Sequence, residues 1–228
     1  MSREITLEEI AARTSGSSSA PYYIAGVLRE AIYRGILPEG KPLHQAQLAQ
    51  RLSVSPIPLR EALRLLETEG LVAFDGYKGA VVTVLTVDEA RELYEMILAM
   101  ESNLMRVAFP GITKRIVDEA EKVLEEMERE DDCIRWRDLN QDFHNLFYEA
   151  TERPLTIDML VRLRQKTDRY IRIHLASMRS ESERQHRDML DAIRAEDLEK
   201  AVEALRNHLT YTSHDLQLCM KQEGGKRK

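Results

Sequence analysis

The chain has 228 residues, 32% of them charged and 6% aromatic, with ten glycines, seven prolines and a net charge of −6 at pH 7. That length holds two modest domains, and the composition suits a soluble, helix-rich protein. No apolar run approaches a membrane span and the N-terminus lacks a charged-then-apolar signal pattern, so the expected location is the cytoplasm and membrane functions are excluded.

Residues 1–20 include the stretch RTSGSSSA and read as a flexible N-terminal segment. From Tyr22 to Gly35, one stripe carries Ile24, Val27, Leu28, Ala31 and Ile32, which predicts a helix. Leu37-Pro38-Glu39-Gly40 is a turn. The next stretch, LHQAQLAQRLSVSPIPLREALRLLETEGLV from Leu43 to Val72, reads as helix, sharp turn, helix and the start of a strand. Leu48, Ala49 and Leu52 face inward on the first helix. Ser53-Val54-Ser55 makes the turn, with Val54 as an apolar plug. Ser55 is a good N-cap and Pro56 suits the first helical position, where a missing N–H costs nothing. Leu59, Ala62, Leu63 and Leu66 recur at helical spacing, and Gly70 stops the helix. Val72-Ala73-Phe74 and Ala80 to Val84 flank the turn Asp75-Gly76-Tyr77-Lys78-Gly79 as a β-hairpin. Residues 21–85 therefore read as a winged helix-turn-helix, which offers one helix to a DNA major groove and its wing to the backbone or minor groove. A generic helical hairpin fits less well, because turn, cap, periodicity and hairpin all agree. The region up to Leu85 is near neutral and the acidic excess lies beyond it, so phosphate contact depends on where Arg60, Arg64 and Lys78 sit.

Past Leu85 the strand signals stop. Thr86 and Glu89 form a capping box for a helix to about Ala108. Further helices are predicted at 113–130, 133–151, 155–176, 182–195 and 197–220, with Asp197 capping the last. Short loops make residues 86–220 an antiparallel all-α bundle, followed by a flexible tail at 221–228. The fold class is mainly α. Cys133 and Cys219 share no metal-type spacing and read as ordinary thiols.

Several polar residues sit on apolar stripes of the bundle, where burial without a partner is costly. His186 falls in line with Met189, Leu190 and Ile193, and His208 with Leu205 and Leu209. Asn140 and His144, four apart, lie along the edge of Leu139, Phe143, Leu146 and Ala150. Glu101 falls among Ile97, Leu98, Leu104 and Met105. One inward histidine is usually a core imidazole bonded to a carbonyl. Three on three helices, with an oxygen donor, point instead to a divalent ion such as Zn²⁺ or Ni²⁺, with Mn²⁺ also compatible. Arg162, Arg169 and Arg172 share one helix. Any of them could meet an anionic ligand, and a solvated charged face is an equal reading for each.

These blocks resemble the GntR family of bacterial transcription regulators, in its FadR-like branch with an FCD effector domain, from about residue 20 to 215. The resemblance rests on ILPEGKPLHQAQLAQRLSVSPIPLREALRLLETEGLV with the wing glycine of YKGAVV, then LYEMILAMES, LNQDFHNLFYEA and QHRDMLDAIRAEDLEKAVEALRNHL. It implies a homodimeric, ligand-responsive repressor of a palindromic operator and no enzyme activity. It implies DNA contacts from Gln45, Ser55, Pro56, Ile57, Arg60, Arg64, Lys78 and Gly79. It makes Asn140, His144, His186 and His208 the metal ligands, with a small organic acid bound beside the ion near Glu101, Arg169 and Arg172. The chain departs from the family pattern at five points. Pro56 stands for a base-reading Arg, Ile57 for Thr, Gln45 for Glu, Ile97 for Arg and Gln185 for Glu, and a proline cannot make a bidentate base contact. Two rivals remain: a metal-free pocket for an acyl-CoA, and a metal-dependent hydrolase or oxygenase with Glu101 as its base.

Overall fold

The computed structural model describes residues 5–14, 19–77 and 79–226, and their side chains apart from 134, 168–169, 172–177 and 223–226. The chain divides into two compact units between Leu85 and Thr86.

In the first unit, α1 (Leu7–Arg13), α2 (Ala20–Tyr33), α3 (Gln45–Leu52) and α4 (Pro56–Thr68) precede an antiparallel hairpin of β1 (Val72–Asp75) and β2 (Gly79–Val82). α1 corrects the expectation of a flexible segment over 1–20. Thr6 and Glu9 form a capping box, Leu7 and Ile10 are buried in the core, and Glu8 meets Arg51 of α3 at 2.7 Å. The apolar pair on a seven-residue helix outweighs the polar stretch that follows it. The core joins Ile24, Val27, Leu28 and Ala31 of α2 to Leu59, Ala62, Leu63 and Leu66 of α4.

Ser53 takes a left-handed conformation (φ 54°), which lets the chain reverse between α3 and α4. The Val54 N–H then donates to the Ala49 carbonyl at 2.9 Å, and its side chain packs on the core. Arg29 of α2 forms two bonds to Glu69, at 2.8 and 2.6 Å, pinning the end of α4. Gly70, at φ 75°, turns the chain into β1. On the hairpin's other side, residues 40–43 pair with β2. Gly40 donates to Val82, Val82 to Lys41, and Leu43 to Ala80 at 2.7 Å.

The second unit holds α5 (Val87–Ala108), α6 (Lys114–Arg129), α7 (Cys133–Tyr148), α8 (Pro154–Arg194) and α9 (Leu198–Lys226). The Thr86–Glu89 capping box opens α5, and Asp197 accepts from the Lys200 N–H at the head of α9. Two expectations are corrected. Helices drawn separately at 155–176 and 182–195 are one helix, α8, because no Gly or Pro interrupts 178–184 and the pairs Arg179–Glu183 and Arg184–Asp188 brace that turn. The tail expected from 221 continues as α9 to Lys226.

Leu63 is fully buried between α4 and the rest of the first unit. Leu63→Ala is expected to destabilise that unit by about 3 kcal/mol, measured by urea denaturation followed by circular dichroism.

Candidate functional site

α4 exposes one face. Leu59, Ala62, Leu63 and Leu66 are inside, while Ser55, Pro56, Ile57, Arg60 and Arg64 are exposed. Arg60 enters no ion pair among the described residues. Arg64 is held: its Nη1 donates to Glu67 at 2.6 Å and its guanidinium lies 4.1 Å from the Phe74 ring centre. Gln45, at the start of α3, is half-buried. Gly79 opens β2 at φ 72°, a left-handed value that a side chain would strain. Lys78 lies outside the described residues. Beside it Tyr77 is fully exposed at the wing tip, its N–H bonded to Asp75. The sequence had marked Tyr77 only as part of the turn.

In the bundle, His144 of α7, His186 of α8 and His208 of α9 converge. One ring nitrogen from each lies within 4.8 Å of the others, and the three residues are 2%, 0% and 4% exposed. The Nε2 atoms of His144 and His186 are 3.2 Å apart. His208 Nδ1 faces the Gln185 carbonyl oxygen at 3.2 Å, which makes Nδ1 the donor and leaves its Nε2 lone pair free. Gln185 is itself fixed by a bond from its amide to Glu181. Burial is the main force on all three rings. It holds His208 down to about 4 and His144 and His186 well below 6.5, aided for His144 by His186 and Arg164 and for His208 by Arg164. The rings are neutral at pH 7, the form that binds metals.

The cluster fits a divalent cation. Nitrogens held about 2.0–2.1 Å from one tetrahedral ion lie roughly 3.3 Å apart, close to the observed pair. Nδ1 of both His144 and His186 is buried without a hydrogen bond, so the Nε2 contact leaves half of each ring's bonding capacity unmet. Asn140, one turn before His144, is half-buried and lines the same cavity of about 50 Å³ as His144 and His208.

Beside the histidines is a charged network. Glu101 is fully buried and accepts from Tyr148 Oη at 2.8 Å and from Arg164 Nε at 3.0 Å. Arg164 also donates to Asn145 at 3.2 Å. Glu101 therefore reaches the cavity wall with its oxygens already engaged, and stands 3.9 Å from His144 Nδ1, too far for a hydrogen bond. Such a carboxylate is poorly placed as a general base. Arg164 and Arg137 line the cavity, and the sequence reading passed over both. The side chains of Arg169 and Arg172 lie outside the described residues. Arg162, on the same helix, is exposed and paired with Asp158.

Residues 23–82 match the bacterial regulatory proteins of the gntR family, and residues 92–211 match the FCD domain. An uncharacterized HTH-type transcriptional regulator, YdhC of Bacillus subtilis, is 32% identical over 57% of this chain and 60% of its own length. The gluconate operon transcriptional repressor of Bacillus licheniformis is 31% identical over 56% of this chain and 51% of its own. The chain thus spans little more than half the length of these two relatives. A crystal structure of a GntR family member from Pseudomonas syringae superposes with a TM-score of 0.58 at 28% identity, over 97% of each chain.

The buried imidazoles tie stability to pH. Unfolded histidines take up protons near 6.5, whereas folded His208 does so only near 4 and burial holds His144 and His186 well below 6.5, so the unfolded chain binds more protons as pH falls below 6.5. Chelator-treated protein is therefore expected to keep full stability above about pH 6.5 and lose it progressively toward pH 4. His208→Gln is expected to flatten that fall in urea melts of the second unit.

Proposed function

Since the chain belongs to the GntR family of bacterial regulatory proteins and is a DNA-binding transcriptional regulator with an FCD domain, we propose that it is a metabolite-responsive repressor whose bundle binds a divalent metal and a small carboxylate. The observation that carries this reading is the meeting of three buried, neutral imidazoles from α7, α8 and α9. His144, His186 and His208, with the Asn140 side-chain oxygen, would hold the ion, and Zn²⁺ or Ni²⁺ suits that donor set. When bound, the ion supplies positive charge for a carboxylate ligand.

The chain's own residues do the rest. Glu101 and Tyr148 keep Arg164 oriented along the cavity wall, where its guanidinium favours an anion. The bundle excludes bulk water, which strengthens that attraction. The cavity is only about 50 Å³ in this conformation, so a ligand has to widen it, and a compact acid demands less widening than a long acyl chain. The gluconate operon named for one relative points to the same class. The protein acts as a homodimer on a palindromic operator, each reading helix in a major groove. The acid changes DNA affinity to the extent that it binds one arrangement of the two modules more tightly than another.

Two measurements test this reading. Purified wild-type protein is expected to hold about one metal ion per chain by elemental analysis, and His144→Ala and His208→Ala to lose it. Metal content unchanged by both substitutions rejects the ligand set. Trp136, the single tryptophan, is buried against the cavity with its indole N–H on Glu183. Its fluorescence is expected to shift on adding a small acid such as gluconate to wild-type protein, and to stay flat in Arg164→Gln.

A further inference from the structure

The reading helix begins with an unusual tip. An ordinary α-helix opens with four N–H groups that its own carbonyls do not reach. Here those four residues are Ser55, Pro56, Ile57 and Pro58, and the two prolines remove half of the donors. Ser55 makes no side-chain capping bond. Ile57 stands 75% exposed in this first turn, beside exposed Pro56. Proline rings on both sides fix the backbone, and the β-branch of Ile57 restricts its side-chain rotamer. The result is a stiff, apolar, donor-poor point on the surface that faces DNA.

Such a point reads little through hydrogen bonds. In a major groove the apolar feature that distinguishes one base pair from another is the C5-methyl group of thymine. Arg60, exposed one turn further along, has the guanidinium to read an adjacent guanine or phosphate, while Arg64 is drawn toward Glu67 and Phe74. We propose that Ile57 is a specificity-determining residue that reads a thymine methyl at one fixed position of each half-site, with Arg60 supplying the neighbouring polar contact. This rests on the DNA-binding function above.

The test uses full-length protein. Operators are first selected from a random duplex library, and each thymine is then replaced in turn by deoxyuridine, which keeps every hydrogen-bonding edge and lacks only the methyl group. At one thymine per half-site, wild type is expected to bind the uracil duplex about fourfold more weakly, the value of one buried methyl-sized group. Ile57→Val is expected to retain that penalty and Ile57→Ala to lose it. Ile57 is exposed, so neither substitution threatens folding, which circular dichroism verifies. Equal uracil sensitivity in wild type and Ile57→Ala, or no sensitivity at any thymine, overturns the assignment while leaving DNA binding intact. A library that yields no enriched sequence overturns the DNA-binding reading and this inference together.

Discussion

Keeping ionisable groups out of water is the constraint on which the bundle depends. Three imidazoles, a carboxylate and a guanidinium lie inside it, and an isolated charge there costs several kcal/mol. The solution separates the groups by type. The imidazoles stay neutral because desolvation opposes protonation, aided by the Arg164 charge at His144 and His208. Glu101 and Arg164 lie against each other, with Tyr148 and Asn145 completing their bonds. Neither arrangement stands alone. Removing Glu101 leaves the buried Arg164 cation without its main partner, beside His144 and His208.

The DNA-binding unit meets a different demand, which is to hold a surface firmly without covering it. Its core draws on α2 and α4, and polar links close the periphery. Arg29 pins the end of α4 through Glu69, and Glu8 ties α1 to Arg51 of α3. None of these contacts involves Ser55, Pro56, Ile57 or Arg60, so those exposed residues of α4 carry little structural duty. That freedom explains how the chain tolerates proline and isoleucine where the family resemblance leads one to expect arginine and threonine.

Most of the elements were legible because their signals are local. Thr86 with Glu89, Asp197, Gly70 and the stripes on α2 and α4 each act within a few residues. The histidine cluster was legible for a related reason: a polar residue on an apolar stripe must have a partner. Arg164 and Tyr148 were not, since their role depends on Glu101, whose sequence distance from each is large. An arginine on a helix reads as a solvated side chain until the third dimension supplies a buried acid. The unbroken α8 was missed because a polar stretch mimics a loop when i, i+4 ion pairs are not weighed. α1 was missed because serines nearby dominated two buried side chains.

The hairpin wing is backed by residues 40–43, which bond to β2 along the edge opposite β1. A flap joined only through its turn bends cheaply. One sutured on both flanks to the segment leading into α3 swings only if the whole unit swings with it. The wing is therefore held to the body of its own unit rather than hung from it.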